Sequence, residues 1–151
     1  ILREGGTDAE FLAVPENGLD PYGASAALLK GRLKSGRDCI LLDLGRAQTK
    51  HGSRFIIGGD TYCPINMIVA KNSDSVDKSM LFAGRIKYII NSGYKELPVY
   101  ITESDGGDYN QGMGYIGLTV EIGDAANTFA EAETTSSMFF AAVGDAISEH
   151  D

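Results

Sequence analysis

Residues 114–122 read GYIGLTVEI, in which Ile116, Leu118, Val120 and Ile122 alternate with small or polar residues. Successive side chains of a strand point to opposite faces, so a period of two predicts a strand with one face in a core. LPVYIT, residues 97–102, repeats the pattern with Leu97, Val99 and Ile101. DCILLDL, SRFIIGG and TYCPINMIVA read as three further strands, the last two separated by the turn-prone GGD. Pro64 lacks a ladder donor, which assigns its end of the third to an edge or a bulge. In KSMLFAGRIKYII, residues 78–90, Met80, Phe82, Ile86, Tyr88 and Ile90 share one parity, which predicts a long half-buried strand with Gly84 as a bulge.

Helical spacing appears near the two ends. Ala24, Ala27, Leu28 and Leu33 place a helix over residues 22–35, with Gly36 as its stop. Phe139, Val143 and Ile147 recur every fourth residue and place a second over 135–148, with Thr134 or Thr135 as its cap. The expected fold is α+β: a mostly antiparallel sheet of five or six strands, the last three as a meander, with a helix near each end of the chain. Residues 1–21 hold two prolines and several turn-prone positions and read as an extended arm before a single domain over 22–151.

A chain of 151 residues, 43% hydrophobic and 23% charged, suits one globular domain with its own core. Its 19 glycines follow no collagen-like period and read as turns and bulges. No apolar run approaches eighteen residues, so no membrane span is expected. ILREGGTDAEFLAV lacks the cationic-then-apolar order of a retained signal peptide. Cys39 and Cys63 are expected to be two buried free thiols, and no spacing of cysteine and histidine suits a structural metal.

Charge is divided along the chain. All thirteen lysines and arginines lie at or before Lys95, and the eleven acids after it stand without a base. The first 95 residues therefore carry +3 and the remainder −11. Faces of opposite sign attract copies head to tail, which predicts a self-associating subunit. Residues 30–54, with Lys30, Arg32 and Lys34, suggest a nucleic-acid face, but the net charge of −8 and the lack of aromatics among them disfavour it.

The stretch TESDGGDYNQGMG, residues 102–114, is the main candidate contact element. It fails the calcium-loop pattern, because Met113 and Thr119 stand where glycine and glutamate are needed when the loop is counted from Asp108. The expectation is a flexible hairpin that meets a partner through Glu103, Asp105, Asp108, Tyr109, Asn110 and Met113, with no metal. A small ligand- or metal-binding domain or enzyme with its site at this loop, using Glu103, Asp105 or Asp108, is the alternative. His51 in AQTKHGSR reads as a solvated loop histidine, and Asp43 and Asp60 read as turn-forming acids beside glycines. No catalytic constellation and no cofactor is expected.

ELPVYITES and YIGLTVEIGD, paired across that loop and followed by a terminal helix, resemble the small structural proteins of tailed-bacteriophage virions. That family comprises capsid-decorating, head–tail joining and tail-terminating subunits. The resemblance implies a non-enzymatic virion protein that joins copies of itself or other structural subunits.

Overall fold

The computed structural model describes residues 10, 12, 21–33, 39–106, 110–113 and 115–148. The arm assigned to residues 1–21, together with Asp108 and Tyr109, lies outside them but for residues 10, 12 and 21. Helix α1 spans Pro21–Arg32, and strand β1 spans Ile40–Ala47. Strands β2 (Phe55–Ile57) and β3 (Asp60–Tyr62) form an antiparallel hairpin. Gly58 and Gly59 make its two-residue turn with φ of 64° and 95°, a left-handed pair that glycine adopts without strain. Strand β4 (Ile65–Ala70) follows Pro64, which separates it from β3. Helix α2 (Val76–Gly93), β5 (Val99–Ser104), a 3₁₀ turn (Gln111–Met113), β6 (Ile116–Asp124) and α3 (Phe129–Ser148) complete the chain.

The α+β class holds, with a helix near each end of the chain and six strands among the described residues. The meander does not. The main sheet runs β1-β6-β4-β5, with β1 and β6 parallel, β4 and β5 parallel, and β4 antiparallel to β6. The residues expected to form its first strand instead form α2, the crossover that parallel neighbours require. Phe82, Ile86 and Ile90 are buried at intervals of four, which is even-numbered and also close to one helical turn. Ser79 and Ala83 are buried on the same helical face, whereas Tyr88 of the supposed strand stripe is 75% exposed.

One face of the sheet is apolar and covered. Ile65, Met67 and Val69 of β4 and Leu118 and Val120 of β6 are fully buried beneath α2 and α3. Phe82, Ile86, Phe139 and Val143 fill the layer from the helix side. Each such side chain contributes about 1.5–3 kcal/mol by leaving water. Helix α3 begins at Phe129, earlier than its apolar spacing indicates. Thr128 Oγ1 accepts from the Glu131 N–H at 3.2 Å, and Glu131 Oε2 accepts from the Thr128 N–H at 3.0 Å. This reciprocal box satisfies two helix-end donors. Thr134 and Thr135, read as caps from sequence, instead donate their hydroxyls to the carbonyls of Ala130 and Glu131 inside the helix.

Gly117 permits the close approach of the 3₁₀ turn to β6. A Cβ there would stand 2.5 Å from the Gln111 backbone. Cys39 and Cys63 are both free, and only Cys63 is fully buried. Among the described residues no helix is long and apolar enough to cross a membrane.

Candidate functional site

The second face of the sheet is polar. Strand register puts Gly45, Glu121, Asn66 and Tyr100 in one row across β1, β6, β4 and β5. The next row contains Asp43, Thr119, Ile68 and Thr102. At the end where β1 and β6 finish and β4 and β5 begin, a cleft of about 330 Å³ opens. Its floor includes Asn66, Tyr100, Thr102 and Glu121, and its wall is the loop from Ala47 to Ser53.

Three polar side chains on that floor form a directed chain. Thr102 Oγ1 donates to Asn66 Oδ1 at 2.7 Å, and Asn66 Nδ2 donates to Glu121 Oε2 at 3.1 Å. The threonine hydroxyl thus fixes the amide so that its donor end faces the carboxylate. Glu121 Oε1 accepts no hydrogen bond among the described residues. Tyr100, 55% exposed, presents its ring beside Asn66. On the other flank stands Gly45, where a Cβ would meet nothing within 4 Å. The arrangement offers a fixed carboxylate, a fixed amide, a hydroxyl and an aromatic surface to one ligand. Such lining suits a polar ligand with apolar patches.

The wall is held by a second carboxylate with a different task. Asp124 Oδ2 accepts the N–H groups of His51 and Gly52 at 2.7 and 2.9 Å, and Oδ1 accepts that of Ala126 at 2.8 Å. These backbone donors, Ala126 foremost, hold its carboxyl below the usual carboxylate range. Arg46 donates to the Asn127 carbonyl, and Asn127 Nδ2 donates to the Ser53 carbonyl at 3.0 Å. Arg54 Nε donates to Glu131 Oε1 at 2.6 Å, and this bond, with that from Asn127, lowers the Glu131 carboxyl to about 2. The basic segment 46–54 is therefore bound to the acidic end of the chain. His51 lines the cleft as an exposed loop residue, in keeping with its reading from sequence.

The 102–114 loop divides into two parts. Glu103 and Asp105 sit beside Lys71, at 3.7 and 3.2 Å, on exposed surface. Asn110 is buried at 1% exposure, and its Nδ2 donates to Ser25 Oγ of α1 at 2.6 Å and to the Asp43 carboxylate at 3.3 Å. Burial pushes the Asp43 carboxyl up, against the opposing effect of the Asn110 bonds. Gln111, also 1% exposed, takes up the backbone where the β4–β6 pairing ends. Its Oε1 accepts from the Ala70 N–H at 2.8 Å, and its Nε2 donates to the Ile68 carbonyl at 3.0 Å and to Thr119 Oγ1 at 3.2 Å. Met113 is half-buried behind it. The loop's exposed acids and its buried amides therefore serve different surfaces. Among the described residues no three His, Cys, Asp or Glu side chains cluster as metal ligands.

Nothing in the local sequence marks Glu121 or Asn66 as a site residue. A polar residue on the open side of an alternating strand is ordinary, and only the register across three strands brings these two together. The signals within reach were the glycine at 45 beside a strand end and the Thr128-x-x-Glu131 box, which places the start of α3 and so the wall of the cleft.

Comparison with known proteins overturns the likeness to phage virion subunits. A search of curated proteins and one of solved structures found no match. The model of a bacterial sporulation family does match, over residues 13–144, which takes in the cleft and all the strands. The two strands that suggested a virion subunit, β5 and β6, are not neighbours in the sheet, because β4 lies between them. With that match over most of its length, the chain belongs to the stage II sporulation protein P (SpoIIP) family.

Proposed function

We propose that this chain acts in sporulation by binding peptidoglycan, the polymer that its family membership favours, in the cleft above Glu121. The observation that carries the reading is the hydrogen-bonded chain from Thr102 through Asn66 to Glu121, beside the exposed ring of Tyr100. Peptidoglycan presents hydroxyls, amides and carboxyls together with the apolar faces of sugar rings. A fixed amide reads amides and hydroxyls, and a tyrosine face covers a ring or an alkyl chain.

A second reading adds cleavage. Glu121 has one oxygen engaged and one free, and a carboxylate so oriented is placed to take a proton from water attacking an amide or glycosidic bond. Sedimentation with purified sacculi separates the two. Binding is expected to carry the chain into the pellet, with Tyr100→Ala and Asn66→Ala weakening retention about tenfold, as for loss of a hydrogen bond or an aromatic contact of 1–1.5 kcal/mol. Release of soluble fragments that Glu121→Gln abolishes would establish cleavage. Equal retention of all three proteins would contradict the cleft as the binding site.

A further inference from the structure

We propose that the outer surface of the helix layer is a dimer interface, in which α2 of one copy lies on α3 of a second copy and the reverse. The inference is independent of the cleft, which opens on the opposite face of the sheet.

Exposure gives the shape of this surface. On α2, Leu81 and Tyr88 are 70% and 75% exposed. Two helical turns separate them, so they stand on one line of the helix, opposite Phe82, Ile86 and Ile90 in the core. A single exposed apolar side chain is ordinary, but two in line, with Gly84 between them, make a ridge. On α3 the exposed residues Phe129, Glu133, Ser137, Ala141 and Asp145 recur every fourth residue. Ser137 and Ala141 at the centre of that line are short, which leaves depth for a ridge.

Charge selects the occupant. Apart from Asp77 in its first turn, α2 is free of acids, and residues 78–95 carry four bases. Helix α3 has no base, and its acids are Glu131, Glu133 and Asp145. Arg54 takes the Glu131 carboxylate within the chain, so Glu133 and Asp145 are the acids that α3 presents outward. The division of charge seen along the sequence thus falls between two helices packed side by side in one layer. An anionic membrane or an acidic partner would suit α2 and be repelled by α3 beside it. A second copy turned about a two-fold axis suits both, because basic α2 then meets acidic α3 twice. Lys78 and Lys87, which flank the ridge, lie about 13.5 Å apart along α2, and Glu133 and Asp145 about 18 Å apart along α3. Lysine stems reach across that difference. Two helices of this length offer on the order of 500 Å² per copy, at the low end of specific interfaces, so the pair is a weak one. Its two clefts would face outward on opposite sides.

The test is sedimentation velocity of the whole chain over a concentration series from about 1 to 500 μM at low salt. A monomer–dimer equilibrium with a micromolar midpoint is expected, shifted toward monomer by about 0.5 M salt. Lys78→Glu with Lys87→Glu in one variant, and Glu133→Lys with Asp145→Lys in another, should each give a monomer that still melts cooperatively. An equimolar mixture of the two variants should restore the dimer, since each supplies the charge the other lacks. Tyr88→Ser, a change on exposed surface, should weaken the pair at least about tenfold with the melting temperature of the monomer unchanged. A monomer at every concentration would overturn the proposal, as would a dimer that both charge variants retain or a mixture that stays monomeric. Pelleting of the monomer with vesicles of anionic lipid would overturn it in favour of a membrane surface.

Discussion

The two faces of the main sheet are built from the same strands and obey different rules. On one, Ile65, Met67, Leu118 and Val120 are closed off by α2 and α3. On the other, Asn66, Thr102 and Glu121 bond to one another in the open, and their neighbour Gly45 has no side chain. Apolar burial makes the first face the source of stability, since exclusion of water acts in proportion to area. The second contributes little, because hydrogen bonds made in solvent replace bonds to water of similar strength. A polar row kept in order without such a return is what a binding surface requires. The contrast recurs within β6 itself: Asp124 spends its carboxylate on the backbone of its own wall, whereas Glu121, three residues earlier, keeps an oxygen for something else.

Substitutions on the two faces should therefore separate stability from binding. The largest loss of stability is expected from Phe139→Ala, fully buried between α3 and the sheet, at about 3–5 kcal/mol in chemical denaturation. Gly117→Val comes next. Its side chain must displace the Gln111 backbone, costing about 1–3 kcal/mol and releasing the amide that covers Ile68 and Ala70. Faster hydrogen exchange at Ala70 would verify the second part, and unchanged exchange would show that the turn moves as a unit.

The wall of the cleft adds a pH dependence. The Glu131 carboxyl is lowered from 4.5 to about 2 when folded, so it stabilises the fold above 4.5 and loses that contribution as pH falls toward 2. Melting curves of the wild type and Glu131→Gln should differ at pH 7 and converge near pH 2; a constant difference would place the effect in the helix cap rather than the charge. The smallest change in stability is expected from Thr102→Val on the open face, within about 0.5 kcal/mol. The same variant frees the Asn66 amide to turn, and so should weaken sacculus binding measurably.

Much of this architecture was legible in the chain. The alternation of Ile116, Leu118, Val120 and Ile122 marked β6, and the spacing of Phe139, Val143 and Ile147 marked α3. The apolar residues of α2, four apart, satisfy the periods of strand and helix alike, and only the burial of Ser79 and Ala83 decides between them. Sheet order was out of reach, since the insertion of β4 between β5 and β6 leaves no trace in local periodicity. The 102–114 loop stands out in sequence by its acids and glycines, yet its buried side chains are the amides of Asn110 and Gln111, whose partners, the Ser25 and Asp43 side chains and the Ala70 and Ile68 backbone, are distant in sequence. The site was hidden for the same reason: Glu121 gains meaning only from its register with Asn66 and Gly45.

The most direct measurement is amide NMR of the labelled chain during titration with soluble peptidoglycan fragments. Shifts concentrated at Gly45 to Ser53, Asn66, Tyr100 to Thr102 and Glu121 to Asp124 are expected. Shifts confined to the exposed face of α2 around Leu81 and Tyr88, or none at saturating fragment, would contradict the cleft as the place where this protein meets the polymer.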